Sequence, residues 1–170
     1  MDFEKYIRDI PDFPKEGIIF KDITTLLIDK DAFRSVIDKI AIPYRGVGIE
    51  KVVGIESRGF IFGSMLSYIL GAGFVPARKA GKLPYKTISE SYSLEYGESV
   101  IEMHEDSIRR GESILLVDDL LATGGTAQAV VKLIERLGGK IAGIEFLIEL
   151  DFLNGREKLG SYNVNSIIHY

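Results

Sequence analysis

The chain has 170 residues, 46% hydrophobic and 27% charged, with a formal net charge of −4, enough for one domain that buries about 70% of its unfolded surface. The acidic balance excludes the basic footprint of a broad nucleic-acid binder, and no apolar run reaches the roughly 18 residues of a membrane span. The absence of cysteine removes disulfide scaffolds and thiol chemistry, and Met1-Asp2-Phe3-Glu4-Lys5 lacks the form of a secretory signal, so a cytoplasmic protein is expected.

In chain order, an N-terminal segment runs to about residue 30; within it Phe13 to Ile23 reads as a Pro/Gly turn leading into a short strand. Ala32 to Ile40 reads as a helix, Lys51 to Ile55 as a buried strand, Phe60 to Leu70 as a helix and Phe74 to Arg78 as a strand. A Gly/Lys/Pro-rich loop comes next. Val100 to Met103 and Ser113 to Val117 are predicted strands, Thr126 to Leu137 a helix, and Ile141 to Glu149 and Val164 to Ile168 the last strands. Alternating β and α elements imply a mostly parallel sheet with right-handed crossovers. Roughly 1–30 and 151–163 fall outside that alternation.

The most telling stretch is Val117-Asp118-Asp119-Leu120-Leu121-Ala122-Thr123-Gly124-Gly125-Thr126. It follows the apolar run Ile114 to Val117 and precedes a helix whose Ala127, Val130, Val131, Ile134 and Leu137 share one face. Two carboxylates therefore stand at the carboxyl end of a parallel strand, where open α/β sheets bind ligands. The small residues after them open a helix, whose free N–H groups and dipole favour phosphate. Glycine lets the backbone approach the anion, and Thr123 and Thr126 add hydroxyl donors. Carboxylates accepting from sugar hydroxyls beside a phosphate cradle suit a sugar phosphate. The Gly-Lys-Ser/Thr ending of a nucleoside triphosphate loop and the Gly-x-Gly-x-x-Gly of a dinucleotide fold are both absent.

A second strand-to-helix junction, Glu56-Ser57-Arg58-Gly59, puts small residues and a cation at a helix start. On its own it suits an anion, or equally a helix capped by Ser57 with Arg58 in solvent. Arg78, Lys79, Lys82 and Lys86 then crowd nine residues, and Tyr85, Tyr92 and Tyr96 recur through the stretch with Glu90 and Glu95. Taken bare, that stretch is also compatible with a solvated hairpin.

The Asp-Asp loop resembles the signature by which type I phosphoribosyltransferases bind 5-phosphoribosyl 1-pyrophosphate (PRPP). The likeness extends through Phe13 to Leu27, Glu56 to Phe60, Arg78 to Pro84, Tyr92 to Gly97 and Gly155 to Leu159, and the first and last of these blocks resemble the adenine-using branch. The resemblance implies a mostly parallel five-stranded sheet flanked by helices, with a small hood from the chain ends (about 1–30 and 151–163) and a flexible loop over about 78–97. It implies conversion of adenine and PRPP to AMP and pyrophosphate in purine salvage. Asp118 and Asp119 would hold the ribose, Ala122, Thr123, Gly124, Gly125 and Thr126 the 5′-phosphate, and Ser57, Arg58, Arg78, Lys79 and Lys82 the pyrophosphate. Glu95, with Tyr96 beside it, matches the proton-transfer position. Phe20 would stack on the purine while backbone groups of Ile19 and Lys21 read its edge.

The same resemblance implies a cis peptide at Glu56–Ser57, a homodimer, and Mg²⁺ carried on the pyrophosphate with no metal ligand from the protein. Lys21 stands where arginine is common, and Glu16 and Ala80 where proline is frequent; backbone readout of the base survives all three. Another purine, xanthine or hypoxanthine, is an alternative substrate. A PRPP-sensing regulator is an alternative role, against which stands the lack of a basic surface for nucleic acid. His104 and His169 are expected to be surface or packing residues.

Overall fold

A computed structural model describes residues 1–93 and 98–170. The elements in chain order are β1 (Arg8–Pro11), β2 (Ile19–Asp22), α1 (Thr24–Ile28), α2 (Lys30–Ala41), β3 (Lys51–Ile55), α3 (Gly59–Leu70), β4 (Gly73–Lys79), β5 (Thr87–Ser93), β6 (Glu98–His104), β7 (Ser113–Leu121), α4 (Gly125–Leu137), β8 (Lys140–Glu149) and β9 (Val164–His169). Short 3₁₀ turns occupy Asp151–Leu153 and Gly155–Leu159 between the last two strands.

The main sheet has the order β5-β6-β4-β3-β7-β8-β9. Strands β4, β3, β7, β8 and β9 pair in parallel and form the expected five-stranded core. β6 joins β4 antiparallel, and β5 completes a hairpin on β6. Separately, β1 and β2 make a two-stranded antiparallel ribbon.

Period-two alternation divides the core. Val53, Leu116, Ile144 and Phe146 pack with Val130 and Ile134 of α4 on one face. On the other, Val52, Leu115, Val117 and Leu147 meet Val36 of α2 and Phe62 and Leu66 of α3. Helices on both faces explain why β3 and β7 read as unbroken apolar runs rather than alternating ones. Each such side chain contributes roughly 1.5–3 kcal/mol on burial. Nearer the β9 edge, the buried Glu145 carboxylate accepts from Tyr44 (2.6 Å) and Asn165 (2.9 Å).

Two departures from the sequence-based expectation bear on the site. β7 runs past Val117 to Leu121, so Asp118 and Asp119 lie within the strand, and its pairing to β8 at Asp118, Leu120 and Leu121 fixes them. And much of the stretch after Arg78 takes the hairpin form that its bare sequence allowed, as β5–β6, where the resemblance implied a loop. In β5, Ile88 and Tyr92 pack on the core between polar neighbours, an antiparallel pattern that the Gly, Lys and Pro residues before it obscure. None of the described helices is long and apolar enough to cross a membrane.

Candidate active site

Two strand-to-helix junctions meet at the carboxyl end of adjacent strands β3 and β7. At the first, β3 passes through Glu56, Ser57 and Arg58 into α3, and the Glu56–Ser57 peptide is cis as expected. At the second, β7 delivers Asp118 and Asp119, then Ala122 to Gly124 lead into α4. Gly59 lets the two touch: a Cβ there would lie 2.9 Å from both Asp118 Oδ1 and Val117 O.

Neither α3 nor α4 has a side-chain N-cap; their cap positions are Arg58 and Gly124. Ser57 is thus not the structural cap that it could have been. α2, away from the site, is capped in the ordinary way, with Asp29 accepting from Asp31 N–H (3.0 Å) and Ala32 N–H (2.9 Å). In α3 the N–H groups of Phe60 and Ile61 turn back to Ser57 O (3.2 Å) and Arg58 O (3.1 Å), whereas an uncapped first turn without such bonds keeps its donors for an anion. In α4 those donors belong to the Gly124–Gly125–Thr126 turn, and Gly124 takes φ +76°, a left-handed conformation that glycine adopts without strain.

The acidic pair is tightly held. Asp119 N–H donates to Asp118 Oδ1 (2.8 Å), and Arg58 Nε lies 2.9 Å from Asp119 Oδ2. That N–H is not aligned for a hydrogen bond, so Oδ2 is a buried acceptor without a donor among the described residues. Burial first, and then the charge of Asp119, push the Asp118 carboxyl well above the usual carboxylate range. Burial also raises Asp119, while the Arg58 guanidinium works in the opposite direction. Such a pair is poised to accept hydroxyl donors and to face developing positive charge.

Cations collect around the first junction. Arg78, at the end of β4, donates to Glu56 Oε1 (2.6 Å) and to Lys82 O (3.1 Å), and Lys79 N–H donates to Glu56 Oε2 (3.1 Å). The Arg78 hydrogen bond holds the Glu56 carboxyl below its ordinary value. Glu56 therefore organises the basic group, a role that composition gave no reason to assign. Lys79 and Lys82 are both exposed.

The β1–β2 ribbon approaches from the other side. The Arg58 guanidinium sits 5.0 Å from the centre of the Phe20 ring, which Phe13 meets edge-on. Lys21 directs its ammonium to Asp9 (2.7 Å) and over the Tyr170 ring (3.5 Å), leaving its backbone as the part available for recognition. β2 pairs only with β1, so its other edge is open, and Ile19 and Lys21, two apart, present their backbone groups to the same edge. A cavity of about 620 Å³ adjoins this strand, lined by Ile18, Ile19, Lys21, Leu150, Phe152 and Tyr170. Leu150 and Phe152 were not singled out from the sequence; an apolar residue after a buried strand carries no signal of its own.

Glu95 and Tyr96 lie outside the described residues. His104 packs against Tyr85 with Nε2 buried, and His169 bonds Asp151 (2.9 Å).

Residues 24–165 match the family model described as "Phosphoribosyl transferase domain". An adenine phosphoribosyltransferase of Brachyspira hyodysenteriae is 56% identical over 170 residues, covering all of both chains. The crystal structure of adenine phosphoribosyltransferase from Thermoanaerobacter pseudethanolicus superposes with a TM-score of 0.95 at 50% identity, covering 99% of this chain and 98% of that one. The Saccharomyces cerevisiae enzyme, solved with an imino-altritol bisphosphate and adenine, gives 0.92 at 39% identity over 98% and 96% of the two chains. The chain belongs to the phosphoribosyltransferase family and, within it, to the adenine phosphoribosyltransferases.

Proposed function

We propose that the protein transfers the 5-phosphoribosyl group of PRPP to adenine, giving AMP and pyrophosphate for purine salvage. The observation that carries this reading is the Asp118–Asp119 pair at the end of β7, beside an uncapped glycine turn and opposite Arg58. That arrangement offers an acceptor for a ribose hydroxyl, N–H groups for a 5′-phosphate and a cation for the leaving group at one sheet edge.

In this reading Asp118 and Asp119 orient the ribose and stabilise the positive charge growing at C1′. Residues 122–126 hold the phosphate; Ser57, Arg58, Arg78, Lys79 and Lys82 receive the pyrophosphate. Phe20 stacks on adenine, and a carbonyl and an N–H from Ile19 and Lys21 match its N6 donor and N1 acceptor. Hypoxanthine reverses that order and leaves polar groups unpaired. Glu95, with Tyr96 beside it, assists loss of the N9 proton. Residues 1–30 and 151–163 serve as the hood, and 78–97 as the loop that excludes water from the ribosyl centre.

The donor set also fits a magnesium ion carried by the substrate. Among the described residues, the one group of three clustered metal-type ligands is Glu149, Asp151 and His169; an ion carried by the substrate would leave Asp118 and Asp119 to accept from the ribose hydroxyls. When bound, Mg²⁺ neutralises charge on the departing pyrophosphate. We further place the enzyme in the cytoplasm as a homodimer.

The test is an assay of PRPP and Mg²⁺ with adenine, hypoxanthine, guanine and xanthine in turn. AMP from adenine alone is expected. Turnover of a different purine would overturn the Ile19–Lys21 assignment, and PRPP binding without any turnover would favour a sensor.

A further inference from the structure

The turn proposed to bind the phosphate is packed against a segment of the proposed hood, the 3₁₀ turn Gly155–Leu159. The two backbones interlock. A Cβ on Gly124 would lie 2.3 Å from Gly155 O, and a Cβ on Gly155 would lie 2.1 Å from Ala122 O and 2.9 Å from Gly124 N. Gly155 is buried, and its φ is not in the left-handed region. Conformation therefore does not require glycine there; the close approach to the turn does.

Neighbouring side chains fix the position of Gly155. Arg156 Nε donates to Glu149 Oε1 (3.0 Å), its Nη2 to Glu149 Oε2 (2.5 Å) and its Nη1 to Val164 O (2.5 Å). Ser166 donates to the same carboxylate (2.6 Å). A bidentate guanidinium–carboxylate pair fixes orientation as well as distance. Leu159 is buried in the core that α4 covers, and Gln128 of α4 donates to Lys158 O (3.1 Å). The segment is thus tied to β8, β9 and α4 at once.

We propose that Gly155, set in place by the Arg156–Glu149 fork, is a positioning residue for the 5′-phosphate: it forms the wall against which the Ala122–Gly124 backbone is aligned. This rests on the proposed function only in taking residues 122–126 as a phosphate site. Loop and wall are both backbone, so a misfit displaces the N–H donors themselves. An Ala at 155 forces a shift of about 1 Å, and displacement on that scale costs roughly 10- to 100-fold in a positioned site.

Isothermal titration of the full chain with ribose 5-phosphate and, separately, with pyrophosphate tests the proposal. Gly155→Ala should bind ribose 5-phosphate ~10- to 100-fold more weakly and pyrophosphate as the wild type does, since Arg58 and Arg78 lie at the other junction. Arg156→Lys keeps the charge but loses the fork and should fall between the two. Gly139→Ala is the packing control. Its Cβ would meet Ile114 and Ile134 at 2.9 Å at the far end of α4, so it should lower the melting temperature and leave both affinities intact.

Equal loss of both ligands in Gly155→Ala, or no loss, overturns the proposal while the proposed function stands. A wild type that binds no ribose 5-phosphate overturns both. If Gly155→Ala does not fold, the Arg156→Lys affinities decide by the same criterion.

Discussion

The junction after β3 and the junction after β7 both open a helix without a side-chain cap at the same sheet edge, yet they are built from different material. The first is held by side-chain charge: Glu56 grips Arg78, and Arg58 leans on Asp119. The second is held by backbone, through a left-handed Gly124 seated against Gly155. A site made of side-chain ion pairs carries its own counterions and adjusts as ligand charge arrives or departs, which suits a leaving pyrophosphate. A site made of backbone fits one group in one place, which suits a phosphate that stays attached throughout the reaction.

Substitutions put this contrast at risk. The largest effect is expected for Asp119→Asn, which belongs to the second junction but pairs with the cation of the first. Its loss of turnover should exceed that of Glu95→Gln, itself placed at ~10²–10⁴-fold with the Michaelis constant for PRPP little changed. Steady-state kinetics that show an equal or smaller loss would move the chemistry away from the junctions. Next is Gly124→Ala, where the left-handed backbone costs about 1–2 kcal/mol and the clash with Gly155 displaces the turn. The Michaelis constant for PRPP should rise ~10²-fold, and a tolerated alanine would mean that the second junction is not built from backbone.

Arg58→Gln should weaken inhibition by pyrophosphate by roughly 10- to 100-fold, the loss of one hydrogen bond between charged groups, with ribose 5-phosphate affinity retained. Loss of both would show that the junctions act as one unit. The smallest effect lies outside both, at Asp22 in the β1–β2 ribbon. The Thr24 N–H and the Arg8 side chain lower its carboxyl from 3.8 to about 2. A depressed carboxylate stabilises the fold above its unfolded value and loses that contribution as pH falls through the folded one. Asp22→Asn should therefore melt below the wild type at pH 6, and the gap should narrow between about pH 4 and 2. A gap that is constant with pH would detach this hairpin's stability from Asp22.

Much of this was legible in the sequence because it is local. The buried strands announced themselves as apolar runs, α4 by its spacing, and both junctions by small residues after a strand. The mostly parallel sheet came from the alternation of strands and helices, and its five-stranded core from the family resemblance. What escaped was non-local or polar. Asp118 and Asp119 belong to β7 because β8 pairs beside them, which no window around Val117 reveals. β5 is a polar strand recognised only through its partner β6. Glu56 reads as the end of a strand until Arg78, 22 positions later, folds against it. The Tyr44–Glu145 bond spans 101 positions. Leu150 and Phe152 line a cavity only because the N-terminal ribbon arrives opposite them.

The helix α3 matters beyond the site it starts from. Its twelve residues, Gly59 to Leu70, include no charge, although Tyr68 is 85% exposed and Met65 39%. With Ile28 and Phe33 these side chains line a mostly apolar groove of about 570 Å³, edged by Lys30, Arg34 and Asp38. A helix with exposed apolar side chains and no charge is normally covered, and the homodimer proposed above is a means of covering this one. The consequence is one of mass action. Pairing that buries α3 in the folded state alone ties stability to protomer concentration, so the melting temperature would fall on dilution.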